Sequence, residues 1–498
     1  MCRILSSNPS VLRRWGLIFG SMAALLLVAV EARADDTHYR GIPIGAKAIG
    51  LGGAFTGVAD DVSAAYFNPG GLALPGSLGI AAGLTINAWQ RDELKDAFSA
   101  DGSSAGATTK SSRSVPIFVG AGIKFGPRNE DGDQPNSLAV SVLQPIFSAG
   151  NSFLQFPSDP LELSDSYRVT SADRATWYGI SYARRFTPKH SFGASLYLSA
   201  RRLNHAEVGL SLDDGTQVGS DPSVFEGVNS TANNQDLGFK TFHFVMRFGW
   251  LYKLKPKVQL GVMVQLPGIP LKQRVDVFSQ GFVNDNRNPS MPLTTAYYFD
   301  QKVDARLPIP GELAVGVEYR PVEKVMLSFN AWAYTPVPSH NRVDVSEPVP
   351  VGGFLFDNDT KRLATGNVAV AGDFRIRKEL SITAAFFTDL SSAQKIPSNP
   401  TRYYNARVQR LGGTLSVGLN VAGISLAIGS TFIYGRGAAT GVVVDFDNLD
   451  ASYDRTQQTS RIVYLFLTGA TQTVVNLGNK AQEGIKGRLE KKKQNGDD

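Results

Sequence analysis

Gly45 to Leu74 reads GAKAIGLGGAFTGVADDVSAAYFNPGGLAL, and its interpretation governs that of the whole chain. The stretch is too rich in glycine for a stable helix and too irregular for one long strand. It carries two adjacent acids, Asp60 and Asp61, then an aromatic pair, Tyr66 and Phe67, then Asn68-Pro69-Gly70-Gly71-Leu72. Proline fixes φ there, and asparagine can bond back to the local backbone, so a compact plug is expected instead of a regular element.

Upstream, Arg3, Arg13 and Arg14 precede an apolar run from Leu17 to Val30, and Ala32-Arg33-Ala34 follows. A basic start, an apolar run shorter than a bilayer span and an Ala-x-Ala step read as a secretory signal over 1–34, cleaved after Ala34. Its loss removes four arginines and Glu31, lowering the formal charge from +6 to +3, too close to neutral to suggest nucleic acid as a partner. The single cysteine, Cys2, leaves with the signal, so no disulfide framework is expected. Beyond the signal there is no uninterrupted apolar run of about 18 residues, so a membrane-embedded form must be a barrel.

Downstream, about fourteen segments alternate with period two between turn signals. Between Lys240 and Tyr252 one face carries Phe242, Phe244, Met246, Phe248, Trp250 and Tyr252, and the other Thr241, His243, Val245, Arg247 and Gly249. Between Ile424 and Tyr434 the even positions are again the more apolar. The first two strands are expected near 77–90 and 114–125, and the last two near 423–435 and 460–469. Connectors after even-numbered strands are short, as at 187–189, 254–256 and 321–323. Those after odd-numbered strands are long and polar, as at 206–237, 337–364 and 436–459. This alternation predicts an all-β, roughly 14-stranded antiparallel transmembrane β-barrel with short turns and both chain ends in the periplasm.

The N-terminal block resembles the hatch of the outer-membrane long-chain fatty acid and hydrocarbon transporter family, the FadL/TodX type. The family's Ala-Asp-Asp step is matched by Ala59-Asp60-Asp61, and its Asn-Pro-Ala-Gly-Leu motif by Asn68-Pro69-Gly70-Gly71-Leu72, with Gly70 in place of alanine. The resemblance implies a hatch over 35–76, a barrel over 77–470 and passive uptake of hydrophobic small molecules across the outer membrane. Long-chain fatty acids are the expected cargo. Aromatic hydrocarbon uptake and a protein-binding secretion shuttle are the alternatives.

The resemblance also implies an inward kink of the third strand that opens the wall laterally, and Pro145 is a physical cause for one, unless it simply marks a strand end near the rim. Phe118, Phe147, Phe153 and Phe156 line an entrance there or belong to a lipid-facing aromatic girdle. Leu266-Pro267-Gly268 and Leu307-Pro308-Ile309-Pro310-Gly311 are expected to face each other across strands seven and eight as bulges. Arg201 and Arg247, on the lumen phase of adjacent strands, are candidate carboxylate partners or members of a lumen charge network with Asp173.

The five histidines, His38, His190, His205, His243 and His340, are scattered, and HExxH, Cys/His clusters and Gly-x-Ser-x-Gly are absent from the sequence. A non-enzymatic protein with no cofactor or metal is therefore expected. Its partners would be the hydrophobic substrate, outer-membrane lipid and, through the charged tail 471–498, a periplasmic protein.

Overall fold

The computed structural model describes residues 38–40, 44–76, 78–100, 103–128, 133–155, 166–213, 229–284, 294–344, 359–421, 423–445 and 450–471. The expected signal 1–34, Phe156 and the tail beyond Thr471 lie outside the described residues.

Seventeen strand segments join in one sheet. Three strands are interrupted, so the segments make a closed antiparallel barrel of 14 strands. These are β1 Ile80–Ala100, β2 Ser103–Phe125, β3 Asn136–Gln155, β4 Ser166–Arg185, β5 His190–Asp213 and β6 Asn229–Lys255. β7 comprises Val258–Gln265 and Ile269–Asn284, and β8 comprises Thr294–Ala305 and Glu312–Val322. β9 is Val325–Tyr334, resuming at Val343–Asp344, and β10 to β14 are Thr365–Arg375, Leu380–Asp389, Arg407–Val421, Ile424–Asp445 and Asp450–Thr471. The barrel closes where β1 pairs with β14, from Ile80↔Thr471 to Leu94↔Gln458.

The period-two reading holds where a strand has one apolar side. Phe242, Phe244 and Phe248 are exposed on the outside of β6, while Thr241, His243, Val245 and Arg247 are buried inside. Phe432 and Tyr434 likewise face outward from β13, and Thr431 and Ile433 inward.

Several strands run further than their hydrophobic pattern. β5 and β6 stay paired as far as Asp213↔Asn229, so most of the expected connector 206–237 is ladder. β13 and β14 pair to Asp445↔Asp450, and β1 and β2 to Ala100↔Ser103, which leaves only 446–449 and 101–102 as connectors. Outside an apolar layer both faces of a strand meet water, so the alternation fades while the backbone bonds continue. The short turns at the opposite end match expectation.

Residues 44–76 fill the inside. Two single-turn helices, α1 Lys47–Gly50 and α2 Ala64–Phe67, and a 3₁₀ turn, Pro69–Ala73, are its only regular elements. Its carbonyls and amides bond to inward side chains around the ring. Ser137 Oγ donates to Leu72 O (2.9 Å), Ser195 Oγ to Ala65 O (2.7 Å), Gln259 Nε2 to Gly57 O (2.7 Å) and Ser328 Oγ to Ala54 O (2.6 Å). Thr56 N donates to Asn330 Oδ1 at 3.1 Å.

The inserted backbone rests on a path of wall glycines. Gly193 pairs with Gly249 across β5 and β6, and Gly261 pairs with Gly316 across β7 and β8. A Cβ on Gly249 would lie 2.6 Å from Pro69 N, one on Gly261 2.7 Å from Thr56 C, and one on Gly316 2.5 Å from Gly57 N. Over this path Asn68 donates to Thr56 O (2.9 Å) and Trp250 O (3.0 Å), and accepts from Gly70 N (3.2 Å). The Asn-Pro motif thus fastens the segment to itself and to β6.

Valine at Gly249 or Gly261 should cost about 1–3 kcal/mol by overpacking. Either variant should expose residues 44–76 to added protease and lower the thermal unfolding temperature, while the barrel still shows heat-modifiable gel migration. Gly413→Val, whose Cβ would meet nothing nearer than Ala385 O at 3.6 Å, should behave as wild type.

Candidate functional site

Between the inserted segment and the long-loop end lies a cavity lined by both apolar and cationic groups. Tyr39, Tyr66, Trp177, Tyr334, Leu307 and Ile309 supply apolar surface, and Arg201, Arg247, Arg306, Arg342 and Arg362 supply charge. Its volume is about 60 Å³. An apolar cavity that accepts benzene measures about 150 Å³, so a ring or an acyl chain enters only as lining side chains move aside.

Its floor is a buried ion triad. Arg247 on β6 is 1% exposed and donates through Nη2 to Glu312 Oε2 (2.8 Å), through Nε to Gln265 Oε1 (2.8 Å), and through Nη1 to Tyr66 O. The other Glu312 oxygen accepts from Arg40 of the N-terminal arm. Glu312 is therefore held between a guanidinium of the wall and one of the arm. Both cations are also covered by rings, Arg247 at 3.7 Å from the Tyr66 centroid and Arg40 at 4.4 Å from that of Trp332. Buried charges are tolerated best when paired and hydrogen-bonded, a condition that Arg247 and Glu312 meet; Arg40 is paired through Nη2, while its Nε and Nη1 are buried without a hydrogen-bond partner.

Strand register brings these groups together. Gln265 pairs with Arg247 on one side and with Glu312 on the other, so the three form a row across β6, β7 and β8. Immediately beyond it the two proline breaks meet as expected: Gly268 N donates to Ile309 O (2.9 Å) and Gln265 Nε2 to Pro310 O (2.8 Å). Arg201 and Asp173 form a two-point pair (2.9 and 2.5 Å), the charge network anticipated for that residue.

One side of the cavity is bounded by Pro145 and Ile146. The β2–β3 ladder runs from Phe125↔Asn136 to Phe118↔Leu143 and, among the described residues, goes no further. Beyond it β2 pairs with β1 and β3 with β4, whose register shifts between Leu143 and Ile146. The seam between β2 and β3 is thus unzipped from Pro145 toward the long-loop end. Phe118 is buried beside the last rung. The side chains of Phe147 and Phe153, and all of Phe156, lie outside the described residues.

The other motif residues occupy a different level. Lys47 Nζ bonds Asp60 (2.6 Å), and Asp61 accepts from Lys47 N (3.1 Å) and Ser63 N (2.7 Å), closing the turn before α2. Burial and the neighbouring Asp60 push the Asp61 carboxyl up. Asp60, Asp61, Asn68, Pro69 and Gly70 therefore build and anchor the inserted segment and are not among the residues that line this cavity. Sequence reading missed Arg40, Gln265 and Glu312. Glu312 shares the inward phase of Ala314 and Gly316 on β8, a signal that becomes legible once the proline breaks are aligned.

No protein-family model and no curated protein sequence matches the chain. Among solved structures it is similar to a FadL homologue of Pseudomonas aeruginosa, at 14% identity over 86% of this chain and 98% of that one, with a TM-score of 0.56. It is also similar to the toluene transporter TodX of P. putida, at 14% identity over 87% of this chain and 99% of that one, again with a TM-score of 0.56. At this identity the likeness is one of fold, and it extends over almost the full length of both neighbours.

Proposed function

We propose that the chain is an outer-membrane channel for passive uptake of hydrophobic molecules and that its preferred cargo is an amphiphilic carboxylate of the long-chain fatty acid type. The observation that carries this reading is the cavity at the unzipped β2–β3 seam, where apolar rings and five arginines converge against one lining carboxylate, Glu312. An acyl chain gains roughly 0.8 kcal/mol per methylene moved out of water, and guanidinium groups match carboxylates in geometry. Cargo enters sideways from the bilayer at Pro145, and its carboxylate is held by the arginines. The inserted segment acts as the hatch. A cargo carboxylate competing with Glu312 for Arg40 loosens the arm and thereby the hatch.

A second reading is supported by the rings of Tyr39, Tyr66, Trp177 and Tyr334 and by the fold shared with a toluene transporter. In that reading the cargo is a monoaromatic hydrocarbon and the arginines are structural.

Binding of radiolabelled oleate and toluene to the detergent-purified protein separates the two. Saturable oleate binding should weaken about tenfold in an Arg306→Gln/Arg342→Gln variant, which leaves the Arg247–Glu312–Arg40 triad intact. Toluene binding alone, or oleate binding indifferent to the double variant, would favour the hydrocarbon reading.

Pro145→Ala restores a ladder donor next to Leu143. Cells relying on this variant should take up oleate several-fold more slowly, while the purified variant binds oleate as tightly as wild type. Undiminished uptake would remove the seam from the route.

A further inference from the structure

Below the inserted segment, the short-turn end contains two cavities of similar size and opposite character. One, of about 370 Å³, lies against β10–β14 and β1 and is lined by Ser381, Thr383, Ser416, Gly418 and Thr468 together with Asp60, Asp61 and Asp373 and the cations Lys47 and Arg375. The other, of about 360 Å³, lies under β4–β8, and Arg185, Lys189, Lys253, Lys255, Lys257 and Arg320 converge on it, against the two carboxylates Asp60 and Glu318.

These cations are not a lipid-facing belt. Arg185 shares the inward phase of the buried Ala183, and Lys253 that of the buried Leu251 and of its partner Gln259, which bonds the inserted segment; the β6–β7 register shifts between Lys253 and Lys255, and Lys189 and Lys257 lie in the adjoining turns, exposed at the rim of the mouth. The outward positions beside them are the exposed Phe186 and Leu254. Arg185 is paired with Asp133, Arg320 with Glu318, and Lys257 Nζ is bound by Pro321 O (2.7 Å). Among the described residues, Lys189, Lys253 and Lys255 have no carboxylate partner. Six cations against two carboxylates are thus gathered on one sector of the mouth, where each cation raises the potential at the others, whereas the Ser/Thr-lined sector sets two cations against three carboxylates.

We propose that this basic vestibule is an exit-side anion site that receives the carboxylate of an alkanoate once it has passed the inserted segment. Cargo accordingly leaves under β4–β8 and not along β10–β14. The assignment rests on the reading of the upper cavity as a carboxylate site, and it adds a second, lower station to that route. The convergence of these cations around a cavity of about 360 Å³ favours a small headgroup over a protein surface.

The test uses the signal-cleaved full chain in non-ionic detergent, titrated calorimetrically with decanoate, decanol and inorganic phosphate at low and high ionic strength. Wild type should show two classes of decanoate site, one of them salt-sensitive. Lys189→Gln/Lys253→Gln/Lys255→Gln should weaken the salt-sensitive class about tenfold and leave the other unchanged. The corresponding triple arginine variant should restore it, and decanol should not detect the change. Unchanged decanoate binding in the glutamine variant would overturn the proposal, as would phosphate displacing decanoate with equal affinity. Loss of the upper class alone, in Arg306→Gln/Arg342→Gln, would leave this site standing, so failure here and failure of the upper-cavity reading give different titrations.

Discussion

In a bilayer every backbone N–H and C=O must find a partner within the protein, and this constraint organises the whole molecule. It forces β1 to close on β14, and it makes each interruption of the ladder costly unless something else satisfies the freed groups. At the β7 and β8 breaks the substitutes are visible: Leu266 N bonds Met246 O, Gly268 N bonds Ile309 O, and the Gln265 side chain takes Pro310 O. Pro145, two residues past the last β2–β3 rung, has no N–H, so it strands no donor there. Both kinds of interruption border the same cavity.

The same constraint explains how an irregular, glycine-rich segment can fill the lumen. Residues 44–76 satisfy many of their backbone groups by short-range bonds of their own, such as Ala59 N to Phe55 O and Gly71 N to Asn68 O, and inward serines, Gln259 and Asn330 of the wall satisfy others. Gly249, Gly261 and Gly316 allow the two backbones to approach closely enough for those bonds. The triad of Arg40, Glu312 and Arg247 adds a different type of contact. Hydrogen bonds to the wall hold the segment in one geometry. The ion triad links its arm to a carboxylate whose second cation belongs to the barrel, so removing Glu312 leaves two uncompensated buried cations, whereas removing either arginine leaves a one-to-one pair.

The sequence revealed most of the barrel and little of the site, for separable reasons. Phe242 through Tyr252 alternate because one side of β6 meets an apolar layer, and this pattern gives phase and strand number directly. It cannot give strand length, because Glu207 pairs with Gln235 and Val208 with Asn234 across β5 and β6, where the alternation has faded. Arg201 with Asp173 could be anticipated because the two share the lumen phase on neighbouring strands. Glu312 with Arg247 could not, because their alignment passes through Gln265 and depends on how two proline breaks set the register of β7 and β8. Arg40 is further still from sequence view: it lies 272 residues from Glu312 in the chain, and only the folding-back of the segment brings the two together.

The distribution of charge along the axis bears on how an anionic amphiphile would cross such a lumen. Arginines face the cavity above the inserted segment, and lysines face the vestibule below it. Between them lies the core of Phe55, Phe67, Leu72 and their neighbours, all buried. An anion leaving the upper arginines for water would meet a steep rise in energy across that apolar layer, because a lone carboxylate in a low-dielectric interior is strongly disfavoured. A second basic station on the far side lowers the end of that path without deepening its start, which favours passage over retention. The sector of the mouth carrying Asp61 and Asp373 would do the opposite. On the proposed route, charge placement at the two ends of one apolar segment would thus give an anionic cargo a preferred side of exit, with no energy source beyond the gradient of the cargo itself.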